Sequence, residues 1–201
     1  LLVPHHRHAE MTVSACQAGK HVSVQKPMAL TVPEADSMIA AAQKAGVVLR
    51  VYENFVFYPP HVRAKQMIEA GEIGEVAQIG AQKSYKLGER APWYHQRSTY
   101  GGTIPWIGIH MVDLMRWSSG REFTEAVSFQ THIGFPELGE MENVTASLFR
   151  LDNGGVAMLR MDYLRPETAP THGDDRLRLA GMKGIVEYQA ATGVTLMTGK
   201  G

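Results

Sequence analysis

The sequence has one cysteine, no net charge and no long hydrophobic run, and each absence excludes a class of protein. Cys16 alone cannot form an internal disulfide framework, which is typical of a reducing cytosol. Twenty basic and twenty acidic residues cancel, so no electrostatic argument favours nucleic acid or an anionic membrane. No apolar run reaches the roughly 18 residues of a membrane span, and no signal peptide is recognised. We expect a cytoplasmic protein with neither a nucleic-acid nor a membrane partner.

The length and the two ends bear on the number of domains. The chain has 201 residues, 44% of them hydrophobic, which suits one large or two small globular domains. It opens on "LLVP" without Met and closes on "VTLMTGKG". We interpret the chain as a segment of a longer protein.

Residues 1–52 alternate short strands with helices. "LLV" is typical of a strand end. Thr31 can cap a helix that has Pro33 in its first turn and Glu34 at the capping-box position. Alternation with short links predicts a parallel sheet, whose ligands lie at the carboxyl ends of the strands. The polar loops "PHHRH", "QKP" and "ENF" follow those ends. The predicted elements are a helix at 8–18, a strand at 21–24, a helix to about 45 and a strand at 47–52.

The pattern changes after residue 53. A few helices come first and a run of strands follows, with "DNGG" and "GMKG" as hairpin turns. This order predicts an α+β arrangement with a largely antiparallel sheet. The predicted helices are 60–70 and 106–118, and the predicted strands are 75–86, 122–133, 143–151, 155–164, 175–180, 184–189 and 193–198.

Lys26 is the first candidate for chemistry. It ends a strand directly before Pro27, and proline restricts the residue before it to an extended or turn conformation. A lysine at the carboxyl edge of a parallel sheet can donate to a substrate or cofactor hydroxyl. A solvated lysine in a turn is the alternative.

Three closely spaced histidines suggest a candidate metal site: His5, His6 and His8. No carboxylate or cysteine cluster accompanies them, and a zinc site needs three or four converging ligands. We therefore predict no metal and favour a polar loop that contacts a ligand.

The helix predicted at 106–118 carries Trp106, His110 and Asp113 at positions i, i+4 and i+7, on one face. Ile107, Met111 and Leu114 form a separate apolar stripe, which we expect to lie in the core. His110 can serve as a general base near neutral pH. A structural histidine bonded to a backbone carbonyl is the alternative.

The segment 162–181 is dense in polar groups between two strands. It could line a polyol pocket or form a salt-bridged loop. Its polar residues include Tyr163, Arg165, His172, Asp174, Asp175 and Arg176.

The order of motifs resembles the Gfo/Idh/MocA oxidoreductases, which are NAD- or NADP-dependent sugar and polyol dehydrogenases. The resemblance covers nearly the whole chain, through "PxxxH", "AGKHV", "KPMALT", "AGVVLRVYENFVFYP", "IEAGEIGEV" and "GG…GIHMVDLMRW…G". It implies part of a Rossmann domain over 1–52. It implies an open mixed, largely antiparallel sheet domain over 53–201, which binds substrate and is often buried in a homodimer or homotetramer.

The resemblance also implies roles for individual residues. Lys26 would bind the hydroxyl that is oxidised, and His110 would be the acid/base group. Cofactor contacts would come from Pro4, His5, Gln25, Lys26 and Pro27. Candidate contacts to a carbohydrate or polyol substrate are Asn54, Trp93, Trp106, Tyr163, Arg165 and His172.

The chain departs from the family pattern at several positions. It has no G-x-G-x-x-G turn, Gln25 replaces a glutamate, and His5 replaces an asparagine. Trp106 replaces an aspartate four residues before the histidine, which removes a charge and adds a flat face suited to a sugar ring.

Three functions follow. The first is oxidation of a secondary hydroxyl of a sugar, sugar derivative or cyclitol. The second is a lyase or hydrolase reaction that passes through a transient oxidation, because Trp106 changes the groups available for proton transfer. The third is a non-catalytic binding module.

Overall fold

The computed structural model describes residues 1–199 and divides the chain into two compact units. Unit 1 consists of Leu1–Glu53, Arg90–Ile109 and Pro136–Met141. Unit 2 consists of Asn54–Glu89, His110–Phe135 and the chain from Glu142. Each unit is therefore assembled from segments that are distant in sequence.

Five α-helices and nine strands occur within residues 1–199. The helices are α1 (His8–Gln17), α2 (Val32–Ala45), α3 (Pro59–Glu69), α4 (Arg97–Tyr100) and α5 (Ile109–Ser119). The strands are β1 (Val22–Gln25), β2 (Leu49–Tyr52), β3 (Val76–Tyr85), β4 (Phe123–Thr131), β5 (Val144–Leu151), β6 (Val156–Asp162), β7 (Gly173–Gly181), β8 (Gly184–Gln189) and β9 (Gly193–Thr198).

Unit 1 contains a parallel pair of strands covered by helices. β1 and β2 run parallel, with Val22 opposite Leu49, so the predicted parallel arrangement is confirmed. Cys16 of α1, Val22 and Ala42 of α2 form a buried core. The prediction of a strand at "LLV" is wrong: the N-terminal residues have no strand assignment, although the Leu1 carbonyl accepts a hydrogen bond from the Gln25 amide at 3.1 Å.

Local signals set the ends of α2. The Thr31 hydroxyl accepts a hydrogen bond from the Glu34 amide at 3.3 Å, and the Glu34 carboxylate accepts one from the Thr31 amide at 3.1 Å. The capping box is thus confirmed. Gly46 ends the helix with φ of 64°, a left-handed conformation that glycine adopts at little cost.

Unit 2 is built on a seven-stranded mixed sheet of order β4-β5-β6-β3-β7-β8-β9. Within this sheet β3 and β6 are parallel and the other neighbours are antiparallel. The predicted largely antiparallel sheet is confirmed, and both predicted hairpin turns join neighbouring strands.

The two faces of this sheet differ. Ile79, Leu159, Leu177 and Val186 point to one face and are at most 1% exposed. The opposite face carries half-exposed apolar side chains on adjacent strands, among them Val127, Leu148 and Met158, which are paired in register.

Several predicted boundaries need correction. β4 ends at Thr131, β6 ends at Asp162, and β7 begins at Gly173. The helix predicted from residue 106 is α-helical only from Ile109, because Ile104–Gly108 form a π-helical turn. Pro105 lies in the first turn of this segment, where its missing N–H removes no helical hydrogen bond.

The π-helical turn also changes a predicted face. Trp106 lies within it, so the α-helical spacing assumed for Trp106, His110 and Asp113 is wrong for the tryptophan. His110 and Asp113 both belong to α5, and Met111 and Leu114 of the predicted apolar stripe are fully buried.

Within residues 1–199, no helix combines the length and the apolar character that crossing a membrane requires.

Candidate functional site

Lys26 directly follows β1 in unit 1. Its side chain is buried, with 6% exposure, which excludes the predicted alternative of a solvated turn lysine. The Lys26 amide donates to the Gln25 side-chain oxygen at 2.8 Å, and the Lys26–Pro27 peptide bond is cis. The Gln25 side chain therefore anchors the lysine backbone at the end of the strand.

The Lys26 ammonium is held by Trp106. Its Nζ donates to the Trp106 carbonyl at 2.5 Å and lies 3.4 Å from the centre of the indole ring. A cation over an indole face is attracted by the ring quadrupole, most strongly where water is excluded. Trp106 thus orients the ammonium with one backbone and one side-chain contact.

Two glycines lead the chain into the turn that carries Trp106. Gly101 and Gly102 have φ of 85° and 123°, values that residues with a side chain rarely adopt. A Cβ at Gly101 would approach Leu30 Cδ2 to 2.8 Å. The glycines therefore permit both the backbone turn and its close packing on Leu30.

His5 lies in an aromatic cluster of unit 1 formed with Trp93, Tyr94, Tyr100 and Trp106. Its ring centre is 4.8 Å from those of both Trp93 and Trp106, and it stacks on Tyr100 at 5.8 Å. Trp93 and Tyr94 stack on each other at 3.9 Å. Flat aromatic faces are thus gathered around the loop predicted to contact the cofactor.

Burial holds His5 in its neutral form. Desolvation lowers the pKa of His5 to about 4, against the opposing effect of its hydrogen bond to the Tyr100 carbonyl. His5 Nδ1 lies 2.7 Å from that oxygen and must donate to it, because a carbonyl only accepts. His5 Nε2 then carries a lone pair, and among residues 1–199 it has no hydrogen-bond partner.

An unpartnered buried acceptor at the Pro4–His5 loop fits the ribose and carboxamide donors of a nicotinamide nucleotide. Pro4 is half-buried, and the His5 ring is beside those of Trp93 and Trp106. The donor and acceptor set of unit 1 is therefore compatible with that end of the cofactor.

His8 joins the two loops at this edge. Its Nδ1 lies 2.8 Å from the Pro27 carbonyl oxygen and its Nε2 lies 3.0 Å from that of Val3. Both ring nitrogens are thus occupied by backbone oxygens. In the described part of the chain, no three His, Cys, Asp or Glu side chains are arranged to hold a metal.

His110 belongs to unit 2, at the beginning of α5. It is buried, with 9% exposure, and stacks on Phe55 with ring centres 4.3 Å apart and planes 19° apart. Phe55 begins a short 3-10 helix directly after Asn54, whose side chain is exposed. The stacking fixes the plane of the imidazole.

A buried ion pair lies behind Phe55. Lys83 of β3 is directly opposite Asp175 of β7, with its Nζ 2.9 Å from Asp175 Oδ2. The same Nζ donates to the Tyr85 hydroxyl at 2.8 Å and lies 4.1 Å from the centre of the Phe55 ring. Sequence reasoning missed Lys83, although this residue continues the alternation of Ile79 and Ala81 along the predicted strand, which was a usable signal.

The polar segment 162–181 is organised mainly by its own bonds. The Arg165 guanidinium donates to the Thr171 carbonyl and hydroxyl at 2.8 and 2.7 Å, and Arg176 pairs with Asp174 at 2.8 Å. His172 is exposed and lies near Tyr85, with ring centres 5.2 Å apart. These contacts favour the salt-bridged loop over a row of ligand groups.

Tyr163 and Arg165 nevertheless border an open surface pocket of about 650 Å³ in unit 2. Glu89 and Glu167 also line it. Its lining is mostly apolar with a few charged groups, and its size suits a small molecule.

Comparison with known proteins decides the family. A model of the GFO/IDH/MocA C-terminal domain matches residues 61–187, and a model of the oxidoreductase family with NAD-binding Rossmann fold matches residues 1–53. The chain belongs to the Gfo/Idh/MocA family.

Relatives of the chain include proteins named as dehydrogenases. Levoglucosan dehydrogenase of Pseudarthrobacter phenanthrenivorans is 31% identical over 60% of this chain and 32% of its own length. The NAD(+)-dependent scyllo-inositol 2-dehydrogenase of Bacillus subtilis is 26% identical over 92% of this chain and 53% of its own length.

The fold also matches solved members of the family. A Thermotoga maritima protein described as an oxidoreductase superposes with a TM-score of 0.92 at 36% identity, covering 99% of this chain and 61% of that one. The Rossmann-type part and the mixed-sheet domain are thus those of Gfo/Idh/MocA proteins. The chain spans between a third and about half of the curated relatives described above, at 32% and 53% of their lengths.

The predicted residues are divided between the units of this Gfo/Idh/MocA chain. Unit 1 brings Lys26, His5, Trp93 and Trp106 together, whereas His110 lies in unit 2. Sequence reasoning missed Tyr94 and Tyr100, because no local pattern shows that residues 90–109 join the strand pair of unit 1. The predicted residues divide as follows: Pro4, Gln25 and Pro27 in unit 1, and Asn54, Tyr163, Arg165 and His172 in unit 2.

Proposed function

We propose that the protein containing this chain is an NAD- or NADP-dependent dehydrogenase that oxidises a secondary hydroxyl of a sugar, sugar derivative or cyclitol. The observation that carries the proposal is the buried Lys26 ammonium at the end of a parallel strand, held by Trp106. The named relatives, which act on levoglucosan and scyllo-inositol, support the class of substrate.

The proposal assigns a different role to each of Lys26 and His110. The Lys26 ammonium donates a hydrogen bond to the reacting hydroxyl and stabilises the negative charge that grows on its oxygen. The His110 imidazole accepts the hydroxyl proton as general base. When bound, the nicotinamide cofactor supplies the hydride acceptor.

We assign cofactor contacts to the loops at the edge of unit 1. Pro4 and His5 lie just before α1, whereas Gln25 ends β1 and Lys26 and Pro27 directly follow it. His8 bonds to both loops through Val3 and Pro27, which keeps them at a constant separation.

We also propose two groups of substrate contacts. Trp106 lies beside Lys26 and Trp93 beside His5; both are half-buried, and aromatic faces pack well against the C–H groups of a sugar ring. Asn54, Tyr163, Arg165 and His172 of unit 2 are the second group, with Tyr163 and Arg165 at the rim of a pocket.

The test uses the full-length protein with NAD⁺ or NADP⁺ and a panel of cyclitols, anhydrosugars and aldoses. Reduced nicotinamide is followed by its absorbance. Lys26→Met and His110→Asn should each lower kcat/KM by about 10²- to 10⁴-fold, the usual contribution of a positioned acid or base. Lys44→Met and His132→Asn remove exposed residues of the same types and serve as controls. Inactivity of the wild-type protein across the whole panel contradicts the proposal.

Product analysis separates the lyase or hydrolase alternative. A simple dehydrogenase yields one equivalent of reduced cofactor for each ketone formed. Bond cleavage or elimination without net cofactor reduction favours the transient-oxidation chemistry instead. Absence of both activities, with no binding of NAD(H) in a calorimetric titration, favours the non-catalytic module.

We further propose a homodimer or homotetramer formed through the open face of the unit 2 sheet. Val127, Phe129, Leu148, Val156 and Met158 lie on that face and are between 48% and 77% exposed. An apolar surface of this kind marks an interface. The single cysteine supports a cytoplasmic location for the assembly.

Sedimentation of the full-length protein tests this assembly. Phe129→Arg places a charge at the most exposed position of the face and should shift the protein toward a monomer. Val48→Arg alters a 62%-exposed apolar residue of unit 1 and is the control. An unchanged sedimentation coefficient for Phe129→Arg would exclude this face as the interface.

A further inference from the structure

Unit 2 holds a buried charge next to the proposed base. Lys83 has no exposed side-chain surface, and its Nζ contacts the Phe55 ring at 4.1 Å. Phe55 also stacks on the His110 imidazole, with ring centres 4.3 Å apart. The Phe55 ring therefore contacts both the Lys83 ammonium and the His110 imidazole.

The cation is fixed by two oxygen partners. Lys83 Nζ donates to Asp175 Oδ2 at 2.9 Å and to the Tyr85 hydroxyl at 2.8 Å, and Tyr85 donates to the same carboxylate oxygen at 3.2 Å. Burial, followed by the charge of Asp175, raises the pKa of Tyr85 well above its ordinary value. Tyr85 therefore stays a neutral donor, and the cluster has one cation and one anion.

In the Lys83–Asp175 ion pair, the ammonium group contacts the Phe55 ring. An aromatic face carries a negative quadrupole and attracts an ammonium, whereas a carboxylate on the same face would be repelled. The charged group that contacts the Phe55 ring is thus the Lys83 ammonium, which is paired with Asp175.

We propose that Lys83, held by Asp175 and Tyr85, is a positioning residue for His110: it fixes Phe55 against the imidazole, and its charge keeps the imidazole neutral and able to accept a proton. A nearby positive charge disfavours a second one, and the low-dielectric surroundings of a buried pair strengthen this effect. The role in catalysis rests on the proposed function, whereas the electrostatic effect does not.

Other titratable groups also lie near the stacked rings of Phe55 and His110. On α5, Asp113 lies three residues after His110. His61 of α3 packs on Phe55 with ring centres 5.5 Å apart and places its Nδ1 2.8 Å from the Phe55 carbonyl oxygen. Tyr188 of β8 packs on His61 at 4.5 Å. These groups are the same in all variants below, so differences in the His110 titration midpoint report the effect of the Lys83–Asp175 pair.

The experiment follows the titration of the His110 imidazole by NMR in the full-length protein, with His110→Asn used to assign the signal. Lys83→Met removes the cation and should move the titration midpoint upward by about 0.5 to 1.5 pH units, as Coulomb's law gives for a unit charge at roughly 8 Å and an effective dielectric constant of about 20 to 60. Asp175→Asn leaves the cation without its counter-ion and should move the midpoint downward. Lys83→Arg keeps the charge and should stay close to wild type.

A matched control removes Lys65, a lysine that contacts α5. Lys65 of α3 donates to the Trp117 carbonyl at 2.7 Å and lies 4.8 Å from the centre of a Trp117 ring, near the far end of the helix. Lys65→Met should leave the His110 midpoint unchanged. If Lys83→Met fails to fold, Asp175→Asn and Lys83→Arg still decide the outcome.

Opposite shifts of the His110 midpoint in Lys83→Met and Asp175→Asn support the inference. A loss of packing alone would not move the midpoint in opposite directions when a cation and an anion are removed. Shifts in the same direction, or no shift in Asp175→Asn, overturn it. In the active enzyme, the acidic limb of the kcat/KM profile should move with the NMR midpoint. NMR shifts without dehydrogenase activity would refute the proposed function alone, and activity with an unmoved midpoint would refute this inference alone.

Discussion

The Lys26 ammonium makes two contacts with Trp106, to the indole ring at 3.4 Å and to the backbone carbonyl at 2.5 Å. The two residues are 80 positions apart in sequence. Because only the ring contact depends on the side chain, substitution at Trp106 separates the two contributions. The relationship accounts for a charged lysine that is buried at the end of β1.

Removal of the indole should weaken the orientation of Lys26 without abolishing it. We expect Trp106→Ala to lower kcat/KM about threefold to thirtyfold, in line with the usual strength of a cation–π contact, and Trp106→Phe to lower it less. Steady-state kinetics of the full-length enzyme measure the effect. Trp117→Phe changes the tryptophan that contacts Lys65 and is the control. Equal activity of Trp106→Ala and wild type would show that the carbonyl alone orients the lysine.

Trp106→Asp tests why this position departs from the family pattern. A carboxylate would replace the cation–π contact by an ion pair with Lys26, so dehydrogenase activity should stay within about tenfold of wild type. Product analysis by chromatography accompanies the kinetics. A large gain in activity would indicate that the wild-type site has moved to the lyase or hydrolase chemistry.

His5 should make the stability depend on pH. Its pKa in the folded protein is about 4, below the ordinary value of 6.5, so between these values the unfolded chain binds a proton that the folded chain does not. The free energy of unfolding should therefore fall as the pH drops from about 6.5 toward 4, by at most about 3 kcal/mol.

Urea unfolding at about pH 7 and about pH 5 measures this effect, and the His5→Asn variant should lose part of the difference. His6→Asn alters an exposed neighbour and should behave as wild type. An unchanged pH dependence in His5→Asn would assign the effect to other groups.

Gly181 should not tolerate a side chain. A Cβ at this position would collide with the Ile73 carbonyl oxygen and approach the Glu75 carbonyl oxygen to 2.9 Å. We expect Gly181→Ala to lower the free energy of unfolding by about 1–3 kcal/mol, as overpacking usually does. Gly199→Ala adds a Cβ that meets no atom within 4 Å and is the control. Equal urea midpoints for the two variants would show that the turn after β7 adapts freely.

The sequence by itself determined the features that depend on neighbouring residues. Thr31 and Glu34 cap α2 because a capping box needs only four consecutive positions. The parallel pairing of β1 with β2, the hairpin turns and the mixed sheet follow from the spacing of apolar residues and turn residues. The motif order also identified the family, which the matches over residues 1–53 and 61–187 confirm.

The tertiary structure decided which distant side chains meet. Lys26 meets Trp106 because the segment 90–109 joins unit 1, and Lys83 meets Asp175 because β3 pairs with β7 in one register, 92 residues away. The π-helical turn before α5 likewise overrode the regular spacing read from the sequence. Local patterns specify how a segment folds, whereas register and packing between segments depend on the burial of the whole chain, so only the folded molecule shows which charges face one another.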